Sequence, residues 1–195
     1  MHADDAHRVA FAFDPAPIAA EVAALPDAWW VPHFNRVIYD GDWSGLALRS
    51  IGGQPMSIYP DTTMTHDWAD TPFLAACPAT AEVLARFGCP LTSVRFLRLG
   101  AGSSIRPHND ERLGFHDGDV RLHLPIVSDD RVSFWLDDEP IDMRPGECWY
   151  LNLNLVHRAT NESAEARIHL VVDATVDPWL EALFGYAREP ADGAH

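Results

Sequence analysis

The chain has 195 residues, 47% hydrophobic and 22% charged, a composition that suits one globular domain over residues 1–195 and excludes wholesale disorder. Its 29 Asp and Glu against 14 Lys and Arg give a formal charge of -15, which argues against nucleic acid and anionic membrane surfaces as partners. Cys77, Cys89 and Cys148 form no CxxC pattern, the start MHADDAHRVAFAF has no leader pattern, and no apolar run approaches a membrane span, so a soluble cytoplasmic protein without disulfides is expected.

In chain order, Pro17 to Leu25 reads as a short helix that begins with proline. Arg36 to Tyr39 and Leu46 to Ser50 read as strands joined through the turn Asp40-Gly41-Asp42, and Ala79 to Phe87, closed by Gly88, as a second helix. Beyond Pro90 the period changes to two, in the runs Val94 to Leu99, Val120 to Val127, Arg131 to Leu136, Cys148 to Leu155 and Arg167 to Ala174. Turn signals separate them, among them Gly100-Ala101-Gly102, Ser128-Asp129-Asp130 and Arg144-Pro145-Gly146-Glu147. A last helix is expected over Asp177 to Phe184, and a frayed tail after Arg188. The fold class is therefore mainly β: a jelly-roll core over about 91–176, preceded by an extension over about 1–90 whose helices pack on its outside, and closed by a C-terminal helix.

His108 and Asp110 stand two residues apart, so in extended backbone both project to one side and can share one ion. His157, 47 residues after Asp110, supplies a third ligand. Two histidines and a carboxylate make a facial triad that leaves positions open on iron(II), whereas structural zinc sites close all four. If Thr160 to Ala164 forms a hairpin loop, His157 faces Arg167 with the two Cα atoms about 5 Å apart. A guanidinium there suits the far carboxylate of a five-carbon dicarboxylate that chelates the metal through its near end. In Val120-Arg-Leu-His-Leu-Pro125, Arg121 and His123 share one face and the aliphatic residues the other. Polar groups in so apolar a strand must meet an anion, either the cosubstrate near its chelating end or a buried aspartate.

These residues resemble the aspartyl/asparaginyl β-hydroxylase family, with its bacterial free-amino-acid hydroxylases such as proline hydroxylases. The resemblance runs from about Val94 to Pro178 and rests on Pro-His108-x-Asp110, Arg121-Leu-His123-Leu-Pro, Pro-Gly-Glu-Cys-Trp-Tyr, His157 and Arg167-Ile-His-Leu-Val-Val-Asp. It implies a double-stranded β-helix (cupin-like), iron(II), 2-oxoglutarate and O2, and hydroxylation of an amino acid, free or as an Asp or Asn residue in a peptide. It assigns His108, Asp110 and His157 to the metal and Arg121, His123 and Arg167 to 2-oxoglutarate. Asp110 sets the chain apart from members that use two histidines alone. The rival readings are a cupin-type dioxygenase without 2-oxoglutarate and a non-catalytic sensor of a small anion or metal. Arg36, Arg49 and Arg106 are candidates for a substrate carboxylate, although an exposed salt bridge is the ordinary state of such groups. His33, His66, His116 and His169 read as surface or satisfied core histidines, His169 being nearest the pocket because it shares a face with Arg167. Trp29, Trp30, Trp43 and Trp149 read as core or rim aromatics, and Trp135, paired with His123 about Asp129, as a pocket wall.

Overall fold

The protein is described by a computed structural model that covers residues 5–58 and 67–185; His66 and the tail after Arg188 lie outside the described residues. Its elements in chain order are β1 (Ala6–Arg8), α1 (Pro15–Ala24), β2 (Val31–Pro32), β3 (Tyr39–Asp40), β4 (Trp43–Ile51), β5 (Trp68–Asp70), α2 (Pro78–Leu84), β6 (Leu91–Leu99), β7 (Ser104–His108), β8 (Asp119–Val127), β9 (Val132–Leu136), β10 (Glu139–Pro140), β11 (Trp149–Leu151), β12 (His157–Asn161), β13 (Arg167–Thr175) and α3 (Pro178–Phe184). The larger sheet runs β1-β11-β8-β13-β6-β4-β2 with β5 on β4, and the smaller runs β10-β9-β12-β7-β3. All pairings in β6 to β13 are antiparallel. The chain is mainly β, a jelly roll with helices at its outside, as the period-two runs predict.

From β6 onward the strands change sheet at nearly every turn: β6, β8, β11 and β13 belong to the larger sheet, and β7, β9, β10 and β12 to the smaller. This corrects two predicted hairpins. His157 does not pair with Arg167: its Cα partners are His108 and Leu136, while Arg167 pairs with Leu99 in the other sheet. Trp135 does not pair with His123: it faces Arg158 and Pro140, and His123 lies between Trp149 and Val171. A turn that folds a strand back on its neighbour and one that carries it over to the facing sheet use the same Asp, Gly and Ser signals. At Asp40-Gly41-Asp42 the chain likewise crosses, from β3 in the smaller sheet to β4 in the larger. Gly41 sits there at φ +85°, where a Cβ would come within 2.8 Å of Ser103 Cβ. The predicted strand Arg36 to Tyr39 is a 3-10 turn over Arg36–Ile38 that runs into β3.

The larger sheet has two different faces. Leu46, Leu48, Phe96, Leu122, Leu124, Leu170 and Val172 project outward and pack with Ile18 and Val22 of α1, Val83 and Leu84 of α2, and Leu180 of α3 into one buried cluster. Asp14 caps α1 by accepting from Ala16 N at 3.0 Å. No side chain of α2 caps its own start; Glu21 on α1 accepts there from Thr80 N at 3.1 Å and Thr80 Oγ1 at 2.8 Å, fastening one helix to the other. The opposite face of the same sheet carries Arg95, Arg121, His123, Arg167, His169 and Asp173, all buried, looking into the space between the sheets. A smaller apolar cluster, including Trp43, Phe134, Leu136, Leu151 and Leu153, fills what they leave. The helix-side cluster is thus the stabilising core, and the space between the sheets is where the buried polar side chains gather. Leu124→Ala removes a fully buried side chain of the helix side and is expected to cost about 2–5 kcal/mol. It should lower the denaturant midpoint while leaving the activity of the folded fraction unchanged. No helix among the described residues is long and apolar enough to cross a membrane.

Candidate metal centre

β7 and β12 lie side by side in the smaller sheet, and their register places His108 directly opposite His157. The two rings are 4.2 Å apart, centroid to centroid. Asp110 follows where β7 ends, its backbone N–H donating to Leu153 O at 2.8 Å. One ligand atom from each of His108, Asp110 and His157 lies within 4.8 Å of the others. Both imidazoles are turned the same way: His108 Nδ1 lies 2.9 Å from Arg106 O, and His157 Nδ1 lies 3.1 Å from Leu155 O. A carbonyl takes only a proton donor, so Nδ1 carries a hydrogen in each ring and Nε2 is the nitrogen left to face a metal. His108 Nε2 stands 3.9 Å from Asp110 Oδ1. Burial, reinforced by His108, lowers His157 to about 4, so it is neutral at physiological pH and ready to donate. Burial pushes the Asp110 carboxyl up, but Arg121 and the two histidines outweigh it and hold the group below its ordinary value. Two imidazoles that present Nε2 and one carboxylate form a donor set that fits a divalent transition metal with positions to spare.

A cavity of about 50 Å³ opens beside these groups. Trp43, Leu97, Leu153 and Phe134 are among its apolar walls, and Arg121, His123 and Arg167 among its polar ones. Arg167 is 3% exposed and meets no carboxylate among the described residues. Its Nη2 contacts His169 Nδ1 at 2.9 Å, and its Nε has no partner. Burial lowers it to about 9, which still leaves it cationic at neutral pH. Burial first and Arg167 second hold the neighbouring His123 and His169 neutral, so they add no second positive charge and offer no negative one. His123 Nε2 is likewise buried without a partner. A buried cation beside unpaired polar atoms is costly by itself and calls for an anion.

Arg121 reads from the sequence as a contact to the cosubstrate or to an aspartate; here it is bound to two aspartates. Nε and Nη2 grip Asp173 at 2.6 and 2.9 Å, and Nη1 donates to Asp110 Oδ2 at 2.6 Å. The candidate substrate arginines lie apart from the cavity. Arg106 holds Asp40 through two nitrogens, Arg49 holds Asp70 and two backbone carbonyls, and Arg36 lies 5.5 Å over the Tyr39 ring. Arg158 does line it, with Nη1 on Asp138 at 2.9 Å and its guanidinium over Trp135.

The family model for aspartyl/asparaginyl beta-hydroxylase matches residues 15–176. The chain belongs to this family. Among curated relatives, the L-proline cis-4-hydroxylase of Rhizobium meliloti (strain 1021) is 26% identical over 185 residues, which cover 91% of this chain and 63% of that protein. The chain therefore spans less than two thirds of that relative. Among solved structures, the epimerase SnoN in complex with Fe3+, alpha ketoglutarate and nogalamycin RO superposes with TM-score 0.52 at 16% identity, over 98% of this chain and 88% of that one. A Pseudomonas putida prolyl-4-hydroxylase does so with TM-score 0.51 at 13% identity, over 89% and 94%. At such identities the likeness is one of fold.

Three residues in or behind this family member's cavity were not assigned from the sequence. His169, 1% exposed, links Arg167 to His123, whose Nδ1 lies 3.3 Å from its own. Asp173 holds Arg121. Phe134, one residue before the predicted wall Trp135, stacks on His157 at 6.0 Å with the ring planes 14° apart. The alternation Arg167-x-His169-x-Val171-x-Asp173 carried the signal for the first two. His33, read as a surface or core residue, stacks on the cavity residue Trp43 at 3.8 Å, and burial lowers it to about 4.

Proposed function

We propose that the protein is an iron(II)- and 2-oxoglutarate-dependent hydroxylase acting on an amino acid, free or as an Asp or Asn residue in a peptide. One observation carries the reading: a His-Asp-His donor set and a buried arginine with no carboxylate partner among the described residues line the same small cavity. Iron(II) with 2-oxoglutarate and O2 would supply the oxidation there, replacing a substrate C–H by C–OH while 2-oxoglutarate gives succinate and CO2. His108 and His157 bind the metal through Nε2, and Asp110 through its carboxylate. Arg167 holds the distal carboxylate of the cosubstrate with its planar fork. His123 packs against the cosubstrate nearer the metal with its Nδ1 turned to His169, and Arg121 adds the N–H groups that its two aspartates leave over. Trp43, Phe134 and Leu153 keep water out, which strengthens each polar contact inside. The named activity of the Rhizobium meliloti relative supports a free amino acid as substrate.

With iron(II), ascorbate and 2-oxoglutarate, the purified protein is expected to release succinate slowly even without substrate. A screen of free amino acids and Asp- or Asn-containing peptides should then yield a product heavier by one oxygen atom. Metal binding without any succinate would mark a sensor, and turnover independent of 2-oxoglutarate would mark a cupin-type dioxygenase.

A further inference from the structure

Behind the candidate ligands, four charged side chains run in one line through the space between the sheets. Arg95 Nη1 donates to Ser93 Oγ at 2.7 Å and to Asp173 Oδ2 at 3.1 Å. Asp173 in turn takes Arg121 through two nitrogens, and Arg121 reaches Asp110 with the third. Arg95, Arg121 and Asp173 are 5%, 7% and 6% exposed. Buried ion pairs are poor stabilisers, because desolvation consumes most of their attraction and well-packed apolar residues serve a core as well or better. So long a chain of charges needs a reason other than stability.

The reason lies at the Asp110 end. A carboxylate free to turn can bind a metal through both oxygens and so occupy two of its positions. Here Oδ2 is held by Arg121, while Oδ1 is the atom 3.9 Å from His108 Nε2. Arg121 can keep that hold only because Asp173 fixes its Nε and Nη2. Asp173 also supplies the charge that lets a buried guanidinium stand beside the place of a divalent ion: in the line of four, the two cations and two anions cancel.

Resting on the metal-site reading above, we propose that Asp173 is a positioning residue: through Arg121 it presents Asp110 to the metal by the single oxygen Oδ1. Without Asp173 the line carries a net positive charge, and Arg121 is free to take both oxygens of Asp110. Both effects weaken metal binding.

The test is a titration with Mn(II), free of turnover, of the wild type, Asp173→Asn, Arg121→Gln and the double variant. Asp173→Asn is expected to weaken Mn(II) binding by roughly 10–100-fold, the usual size for a lost outer-shell partner. In the Arg121→Gln background its further effect should be much smaller, because the hold on Asp110 that passes through Arg121 is already gone and only the change of charge remains. Equal weakening in both backgrounds, or wild-type affinity in Asp173→Asn, overturns the proposal and leaves the metal site standing. Wild-type protein that takes up no Mn(II) overturns the metal-site reading and the proposal with it. If Asp173→Asn yields no folded protein, Asp173→Glu, which keeps the charge but displaces it by one methylene, is expected to show the same Arg121-dependent loss, and no loss would overturn the proposal.

Discussion

Alanine at His157 is expected to abolish iron binding and, with it, succinate release in the presence of 2-oxoglutarate. The imidazole sits at the first position of β12, opposite His108, with Nδ1 engaged by Leu155 O and Nε2 left for a metal. Losing an outer-shell partner already costs 10–100-fold in metal affinity in comparable sites, so losing one of three ligands should exceed about a hundredfold. His108→Ala should do the same, since the cross-strand pair is one unit. Neither change should prevent folding: both residues lie in the smaller sheet, away from the cluster of helices and outward-facing aliphatics that stabilises the chain. His116→Ala, at an exposed position outside the cavity, serves as the control and should bind iron like the wild type. Equilibrium titration with iron(II) under anaerobic conditions, alongside a melting curve of the apo protein, measures both. Full iron affinity in His157→Ala would remove this residue from the ligand set.

The candidate metal ligands are legible in the sequence because their geometry is local. His108 and Asp110 need only the pleat of one extended segment, and His157 needs only to be a histidine on a later strand of the same small domain. The partners of those strands are not legible, and the reason is physical. Period-two alternation shows that Arg121 and His123 share a face, but not that this face looks into the space between the sheets while Leu122 and Leu124 pack against helices. That follows from which sheet each strand joins. The expected pairing of His157 with Arg167 treats the turn after β12 as a hairpin, whereas the chain crosses there to the facing sheet. Arg167 still reaches the cavity that His157 lines, from the opposite side. The crossing from β8 to β9 likewise removes the expected pairing of Trp135 with His123, and Phe134 is the aromatic wall instead. Asp173 shows the converse: its alternation with Arg167 and His169 was visible, but its role depends on Arg95 and Arg121, which arrive from β6 and β8, the two strands flanking β13.

Arg167→Met is expected to raise the apparent KM for 2-oxoglutarate by roughly a hundredfold, equivalent to about 3 kcal/mol, the middle of the range for removing one partner of a buried charge pair. The turnover number at saturating cosubstrate should change far less, because the arginine holds the end of the molecule remote from the metal, an interaction made equally in ground and transition states. The same substitution separates a binding role from a structural one through stability. In the protein without cosubstrate, the Arg167 guanidinium is buried with no carboxylate among the described residues, its Nε is unpaired, and both neighbouring histidines are held neutral. Such a cation opposes folding, so a methionine of similar length should melt no lower than the wild type, and higher if it packs well. With 2-oxoglutarate at about a hundred times its Kd, the wild type should gain about 2.7 kcal/mol of stability. The variant should gain almost none at that concentration. An ordinary structural ion pair would give the opposite pattern, a lower melting point without ligand and an unaltered gain with it. Thermal melts with and without 2-oxoglutarate, together with succinate kinetics, therefore decide the role of Arg167, and an unchanged affinity in the variant would exclude it from the cosubstrate site.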